Sequence, residues 1–196
     1  MIRRFLHYLA SNPRVYDLIQ LAAGRKRAYE FLAPTFQELQ NQKIVDIAAG
    51  TGNLLALIPP SNSYVWLDND WDKLRGFRQK YPYKAANIGD ATRLSYADKS
   101  FDVSASLALS HHLTDEQFDM FLREAQRITR SKLIFVDAVA SKRWSSRILW
   151  TYDRGSFPRS RERILAQIEK YYEIEQIKTG IGLHELMLCV GQPRAE

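Results

Sequence analysis

Lys43 to Pro59 read KIVDIAAGTGNLLALIP, and this segment decides the fold class. Its first part, Lys43 to Ala48, has the apolar and β-branched side chains of a buried strand, and its last part, Leu54 to Ile58, is an apolar run that suits a helix. Only small residues stand between the two. Because glycine has no Cβ, a strand that turns into a helix through glycines lets backbone N–H groups approach a ligand closely. The segment therefore predicts a strand, a ligand-binding turn and a helix.

Strand and helix patterns alternate along the rest of the chain. Further β-prone runs lie at residues 64–67, 101–107 and 133–136, with a short one in NIGDA. Asp70 and Thr114 are the N-caps of two predicted helices, the first ending before Pro82 and the second running through Arg130. The closing runs YEIEQIKTG and HELMLCVGQP, joined by a turn that contains Gly180, predict a terminal hairpin. This alternation specifies a mostly parallel α/β sheet.

Length and composition are those of one globular domain. The chain has 196 residues, of which 45% are hydrophobic. No apolar run reaches the roughly 20 residues of a membrane-spanning helix, and the first residues lack the long apolar core of a signal peptide. Cys189 is the only cysteine, which excludes an internal disulfide and a thiolate metal cluster. We therefore expect a soluble protein of the reducing cytoplasm, although one cysteine also permits other compartments.

The chain is basic, with a formal net charge of +6 and a pI of about 9.4. Lysines and arginines gather in short clusters, but acidic residues are spread between most of them. This pattern favours solvated helix faces or a small anionic substrate over a nucleic-acid partner. Arg3 and Arg4, next to apolar residues, also permit weak association with a membrane surface.

Three aspartates fall at the ends of successive predicted strands. They are Asp46, Asp68 and Asp90, and open α/β sheets bind ligands at that edge. Asp68 stands about 20 residues beyond the first strand, the spacing at which an acidic residue commonly binds ribose hydroxyls. Carboxylates accept hydrogen bonds and favour positive charge, so the set suits a nucleoside with hydroxyls, an exocyclic amine and a cationic centre. Taken singly, each aspartate also fits a helix cap or an Asx turn.

The order of these motifs resembles that of the class I S-adenosylmethionine-dependent methyltransferases, particularly the type 11 small-molecule group found in quinone and secondary metabolism. DIAAGTG resembles the family's first motif, D-x-G-x-G-x-G, and LDND resembles the acidic loop after its second strand. NIGDATRLSYADKSFDV resembles the third motif and the fourth strand. SLALSHHL resembles the segment that closes the family's cofactor site, and KLIFVDAV resembles its fifth strand. The match covers most of residues 43–137. Ala48 departs from it, since it replaces the motif's usual first glycine and its methyl group would crowd the methionine end of the cofactor.

The resemblance implies a Rossmann-like three-layer sandwich. Its sheet would be mostly parallel and seven-stranded, with an antiparallel last strand and extra N-terminal helices. We expect a single methyltransferase domain, divided into an N-terminal helical lid (1–40), a cofactor-binding core (43–137), substrate-side helices (138–170) and a terminal hairpin (171–191).

The resemblance also implies S-adenosylmethionine as cofactor and S-adenosylhomocysteine as product. Asp68 would bind the ribose hydroxyls, Asp90 would bind the adenine amine, and Asp46 would order the glycine turn. The residues expected to bind the cofactor are Asp46, Ala48, Gly50, Thr51, Gly52, Asp68, Asn69, Asp90, Ala91, Ser106 and Leu107.

Two adjacent histidines, His111 and His112, end the predicted fourth strand. An imidazole titrates close to neutral pH, so His111 is our candidate for a general base, while His112 is expected to line the cleft. A purely structural role in the following turn is the alternative for both. Neighbouring residues on a strand point apart and no third ligand is evident, so no metal is expected.

The substrate lid is expected from the two segments that flank the core. Residues 2–10 and 13–39 are predicted to be helical, with Pro34 ending or kinking the second stretch. Aromatic residues mixed with arginines on the flanking segments suit a flat or apolar substrate with an anionic group, and helix packing is the alternative explanation. The candidate substrate contacts are Tyr8, Tyr16, His112, Trp150, Tyr152 and Arg154.

These observations predict methyl transfer from S-adenosylmethionine to a small-molecule acceptor. An RNA methyltransferase and a non-catalytic protein that binds the same cofactor are the alternatives. The sequence does not indicate which acceptor atom is methylated.

Overall fold

A computed structural model describes residues 25–140, 150, 157–181 and 185–195, and every structural statement below refers to these residues. The strands are β1 (Lys43–Ile47), β2 (Ser63–Asp68), β3 (Ala85–Ile88), β4 (Phe101–Leu107), β5 (Thr129–Val139), β6 (Tyr172–Ile181) and β7 (Glu185–Pro193). The helices are α1 (Arg25–Gln37), α2 (Trp71–Lys80), α3 (Asp115–Ile128) and α4 (Arg161–Ile168), with short 3-10 helices at Asn53–Leu57 and Ser110–His112.

All seven strands form one sheet in the order β3-β2-β1-β4-β5-β7-β6. Strands β1 to β5 pair in parallel, whereas β7 runs antiparallel to both β5 and β6. The predicted Rossmann-like sheet with an antiparallel last strand is therefore confirmed. The strand order reverses between β1 and β4, and sheets of this kind bind ligands beyond the carboxyl ends of their strands at that point.

Helices cover both faces of the sheet, which makes the predicted three layers. On one face, α3 and α4 bury Phe118, Phe121 and Ile164 against the sheet. On the other face, α1 and α2 bury Phe36 and Phe77. Among the described residues no helix is both long and apolar enough to cross a membrane.

Both predicted helix starts are confirmed. The Asp70 side chain accepts hydrogen bonds from the N–H groups of Asp72 and Lys73 at the start of α2. At α3, the side chain of Thr114 accepts from the N–H of Gln117, whose side chain binds the Thr114 N–H in return. Reciprocal caps of this kind satisfy backbone donors that no helical carbonyl can reach.

Several predicted boundaries were wrong. Helix α1 continues through Pro34 to Gln37, so Pro34 does not end it, and the alternative of a kink stays a prediction. Helix α3 ends at Ile128, because the backbone of Thr129 already pairs with β4. The apolar run after the glycine turn forms only a short 3-10 helix. Gly180 lies inside β6 and not in a turn, and its small size has a reason: a Cβ there would come within 3.0 Å of the Phe31 ring on α1.

Candidate active site

The turn after β1 is built from residues with left-handed backbone. Ala48, Gly50 and Gly52 have φ angles of 61°, 58° and 77°. The two glycines serve different purposes. A Cβ on Gly52 would meet the Phe77 ring at 2.5 Å, so Gly52 is required for packing against α2, whereas a Cβ on Gly50 would have no atom within 4 Å. Gly50 thus leaves open space beside the turn, as close approach of a ligand to the backbone requires.

Both backbone polar groups of Gly50 are hydrogen-bonded to side chains of β2. Its N–H donates to Asp68 Oδ2 at 2.8 Å, and its carbonyl accepts from the indole nitrogen of Trp66 at 3.0 Å. Trp66 is itself fixed, because its ring is buried and stacks on Phe77 with 5.5 Å between the centroids. Side chains of the protein itself therefore fix the backbone of the turn. We expected Asp46 to order it, but the ordering hydrogen bonds come from Asp68 and Trp66.

Asp68 lies where the sequence placed it, at the end of β2 beside the glycine turn. Its side chain is buried, and Oδ1 accepts from the Asp70 N–H at 3.1 Å. The ammonium of Lys73 stands 3.5 Å from Oδ2. Asn69, which follows, is exposed.

Asp46 has one satisfied oxygen and one unsatisfied oxygen. Oδ2 accepts from the Tyr64 hydroxyl at 2.6 Å, while Oδ1 is buried and has no hydrogen-bond partner among the described residues. Burial raises the pKa of Asp46 to about 7; the Tyr64 hydrogen bond opposes this rise and the charge of Asp68 adds to it. A buried acceptor without a partner costs roughly 1–3 kcal/mol, so it favours any ligand that brings a donor or a positive charge.

Among the residues predicted to bind the cofactor, two hydroxyl oxygens are also buried acceptors without a described partner. Thr51 Oγ1 and Ser106 Oγ are buried and have no partner in the described part of the chain. A polar ligand with several donors at the strand ends would satisfy such atoms. The residues present therefore fit a cofactor that carries an ammonium group and hydroxyls.

Asp90 makes the hydrogen bonds of an Asx turn, the structural alternative to a cofactor contact. Its side chain is exposed, and Oδ1 accepts from both the N–H and the hydroxyl of Thr92 at 2.8 Å. This is an Asx turn after β3. Ala91 packs against the core, and Leu107 is half-buried at the end of β4. Contact of Asp90 with an adenine amine stays a prediction.

The two histidines do not end a strand. Strand β4 stops at Leu107, and His111 and His112 lie on the following 3-10 helix. Their ring centroids are 4.3 Å apart, so the expectation that they point apart was wrong, because the alternation of a strand does not apply to a helical turn. His111 is buried and His112 is exposed. Among the described residues, no three histidine, cysteine, aspartate or glutamate side chains are grouped as a metal site.

His111 is paired with Asp137, a residue that sequence reasoning missed. The distance between His111 Nδ1 and Asp137 Oδ1 is 2.6 Å, and the carboxylate is completely buried at the end of β5. The available signal was the single charge in the apolar run LIFVDAV. A buried carboxylate needs partners, and here the partners come from the loop after β4.

The buried guanidinium of Arg159 fixes the 3-10 helix that carries His111. It donates to the carbonyls of Ser110 at 2.5 Å and Leu113 at 2.7 Å, and to Asp115 Oδ1 at 2.9 Å. The Phe157 N–H also donates to the His111 carbonyl at 3.0 Å. The position of His111 is therefore set by β5 on one side and by residues 157–159 on the other.

The predicted substrate residues divide into two groups. His112 and Trp150 flank His111, with the Trp150 ring edge-on to the His111 ring at 5.4 Å. The other four lie outside the described residues: Tyr8, Tyr16, Tyr152 and Arg154.

Comparison with known proteins identifies similar methyltransferases. Residues 44–132 match the model of a methyltransferase domain. The chain is 31% identical over 120 residues to a demethylmenaquinone methyltransferase from Streptomyces avermitilis, an alignment that covers 59% of the chain and 51% of the relative. The chain thus spans about half the length of this curated relative.

Solved structures share the fold over most of the chain. A methyltransferase from Haloferax volcanii, in complex with a methyltransferase activator, has a TM-score of 0.77 at 13% identity and covers 97% of this chain and 96% of its own. An S-adenosylmethionine-dependent methyltransferase from Methanosarcina mazei has a TM-score of 0.69 at 16% identity, with coverages of 83% and 98%. Residues 44–132, somewhat less than half of the chain, are thus similar to a methyltransferase domain, and these solved methyltransferases share the fold of the chain.

Proposed function

We propose that this protein transfers a methyl group from S-adenosylmethionine to a small-molecule acceptor. The glycine turn carries the proposal: its backbone is fixed by Asp68 and Trp66, and Gly50 leaves open space beside it. A turn whose backbone is already held by hydrogen bonds loses less entropy when a ligand binds. When bound, the cofactor supplies a methyl group already activated on a sulfonium, so the protein mainly positions the acceptor.

The described residues supply complementary groups for such a cofactor. The Asp68 carboxylate, beside the Gly50 N–H, would accept hydrogen bonds from ribose hydroxyls. Oδ1 of Asp46, which has no partner among the described residues, would accept from the ammonium of the methionine moiety, because a buried carboxylate attracts a cation strongly. A bound cation would favour the ionised form of Asp46, which matters near neutral pH because burial raises the pKa of this group to about 7.

A small acceptor is supported by the surroundings of His111. The Trp150 and His112 rings offer apolar and aromatic surface for a flat molecule. By its name, the relative from Streptomyces avermitilis acts on demethylmenaquinone, which is a small molecule. A cysteine nucleophile of the type used on cytosine is disfavoured, because burial raises the pKa of the Cys189 thiol to about 12, with a further rise from the charge of Glu169.

Calorimetric titration tests cofactor binding. Asp68→Ala should weaken affinity for S-adenosylmethionine by roughly 1.5–3 kcal/mol, the cost of losing hydrogen bonds to a charged acceptor. Asp72→Ala is the matched control, since this neighbouring carboxylate is exposed and pairs with Arg75 on its own helix. If wild-type protein binds neither S-adenosylmethionine nor S-adenosylhomocysteine at millimolar concentration, the proposal fails. Transfer of labelled methyl groups to RNA, and to no member of a small-molecule panel, would overturn the acceptor class.

A further inference from the structure

The glycine turn closes as a type II′ β-turn. The Gly52 N–H donates to the Ala49 carbonyl at 2.8 Å, so Gly50 and Thr51 are the two central residues. Gly50 has a φ of 58°, whereas the φ of Thr51 is not positive. A positive φ at the first central residue alone defines type II′, which favours glycine at that place. The peptide between Gly50 and Thr51 is therefore the central peptide of a defined turn.

The two polar groups of this central peptide differ in their partners. The hydrogen bond that closes a β-turn uses neither of them, so each needs a partner outside the turn. The Gly50 carbonyl accepts from the indole nitrogen of Trp66 at 3.0 Å. The Thr51 N–H donates to no group in the described part of the chain. Because the carbonyl and the N–H of a planar trans peptide point in opposite directions, this unused donor is directed away from the Trp66 ring.

Two features of the sequence hold the central peptide in this orientation. The Trp66 ring is buried and stacks on Phe77, whose ring also lies against Gly52, so the indole nitrogen has a fixed position. Reversal of the peptide would give a type I′ turn, which needs a positive φ at Thr51 as well as at Gly50. A β-branched residue disfavours that conformation. Loss of the Trp66 hydrogen bond would therefore weaken the restraint without removing it.

Two unused polar groups of opposite kind lie on β1 and on the turn that follows it. Oδ1 of Asp46 is a buried acceptor without a described partner, and the Thr51 N–H is a donor without one. An α-amino acid carries an ammonium group and a carboxylate on the same carbon, so it matches both. Backbone N–H groups in turns bind anionic oxygens. The Lys73 ammonium, 3.5 Å from Asp68 Oδ2, offsets part of the negative charge that would oppose a carboxylate here.

We propose that Trp66 is a positioning residue whose indole N–H holds the Gly50–Thr51 peptide, so that the Thr51 N–H donates to the carboxylate of the cofactor's methionine moiety. The inference rests on the proposed function. Trp66 acts through the backbone, because its ring is completely buried and its one donor is used by Gly50. Its substitution should therefore weaken binding of ligands that carry the carboxylate and spare ligands that lack it.

Calorimetry on a variant tests this difference. Trp66→Phe keeps a buried aromatic ring beside Phe77 but removes the indole N–H. Affinity for S-adenosylhomocysteine should fall about 3–10-fold, the effect of one lost hydrogen bond. Affinity for 5′-methylthioadenosine, which keeps the adenosine and the sulfur but lacks the amino-acid group, should not change. Tyr172→Phe is the matched control, since it also removes a buried donor to a backbone carbonyl, that of Leu122 on α3, and it should change neither affinity.

Each contrary result has a separate meaning. An unchanged affinity of Trp66→Phe for S-adenosylhomocysteine overturns the positioning role. An equal loss of affinity for both ligands also overturns it, because the substitution would then disturb the turn as a whole. If the wild-type protein binds neither ligand and no S-adenosylmethionine at millimolar concentration, the proposed function fails instead.

Nuclear magnetic resonance on the wild-type chain tests the same inference without a variant. In ¹⁵N-labelled protein, the indole N–H of Trp66 should exchange slowly with solvent, as a buried and hydrogen-bonded donor does. The Thr51 amide signal should shift when S-adenosylhomocysteine is added, and it should shift much less with 5′-methylthioadenosine. Fast exchange of the indole N–H, or equal shifts of the Thr51 amide with the two ligands, overturns the inference.

Discussion

Asp46 and Asp137 are both buried aspartates in the sheet, and their surroundings differ in the number of donors. Asp46, on β1, receives one hydrogen bond from Tyr64 and keeps a buried oxygen without a partner among the described residues. Asp137, on β5, receives hydrogen bonds on both oxygens from Ser110, His111 and Ala138. The carboxylate with unused capacity can bind a ligand, whereas the saturated one can only orient its neighbours. Donor count therefore separates a binding aspartate from a positioning aspartate at the same edge of the fold.

The same substitution should have opposite effects on stability at the two positions, with the larger effect at Asp137. In Asp137→Asn, an amide NH₂ replaces one carboxylate oxygen, so the groups that donated to that oxygen now face another donor. Each buried group that is left without an acceptor costs about 1–3 kcal/mol. We expect the free energy of unfolding to fall by about 2–4 kcal/mol, measured by urea denaturation at pH 8. An unchanged unfolding midpoint would show that the four contacts contribute little to stability.

Asp46→Asn should stabilise the protein at pH 8. The folded-state pKa of Asp46 is raised to about 7, because burial disfavours the charged form. The folded protein therefore loses stability as pH rises from about 4 through 7, since Asp46 ionises in the unfolded chain at lower pH than in the folded one. An asparagine stays neutral, although its amide becomes an unsatisfied donor, so we expect a net gain of about 1–3 kcal/mol at pH 8 and none near pH 4.

Denaturation of both proteins at several pH values between 4 and 8 isolates this group, because the other titrating side chains are common to wild type and variant. A difference that does not grow with pH would contradict the raised pKa. The same variant should bind S-adenosylmethionine more weakly, since it has lost the carboxylate proposed for the ammonium group.

The contrast also shows what could be read from sequence. The strands and the helix caps Asp70 and Thr114 were predictable because they depend on local patterns of apolar, capping and turn residues. The closeness of Asp68 to the glycine turn was predictable as well, because carboxyl ends of neighbouring parallel strands meet. The His111–Asp137 pair was not predictable in this way. It depends on the β4–β5 register and on a 3-10 helix that returns the chain to β5, across 26 residues of sequence.

Two alanines with left-handed backbone give the smallest and most finely matched comparison. Ala48 follows β1 and Ala108 follows β4, with φ angles of 61° and 60°. A side chain in this conformation costs about 1–2 kcal/mol, whereas glycine adopts it freely but loses about 0.5–1 kcal/mol more entropy on folding. Ala48→Gly and Ala108→Gly should therefore each raise stability by about 0.5–1 kcal/mol, seen as a higher midpoint in thermal or urea unfolding.

Cofactor binding should distinguish the two variants, because only Ala48 belongs to the glycine turn. If the Ala48 methyl group crowds the methionine end of the cofactor, its removal should tighten binding of S-adenosylmethionine by up to about tenfold, whereas Ala108→Gly should leave the affinity unchanged. Calorimetry on both variants and on wild type measures the difference directly. Equal affinities in all three proteins would show that the cofactor clears the Ala48 methyl group, and that this alanine differs from the family's glycine only in backbone strain.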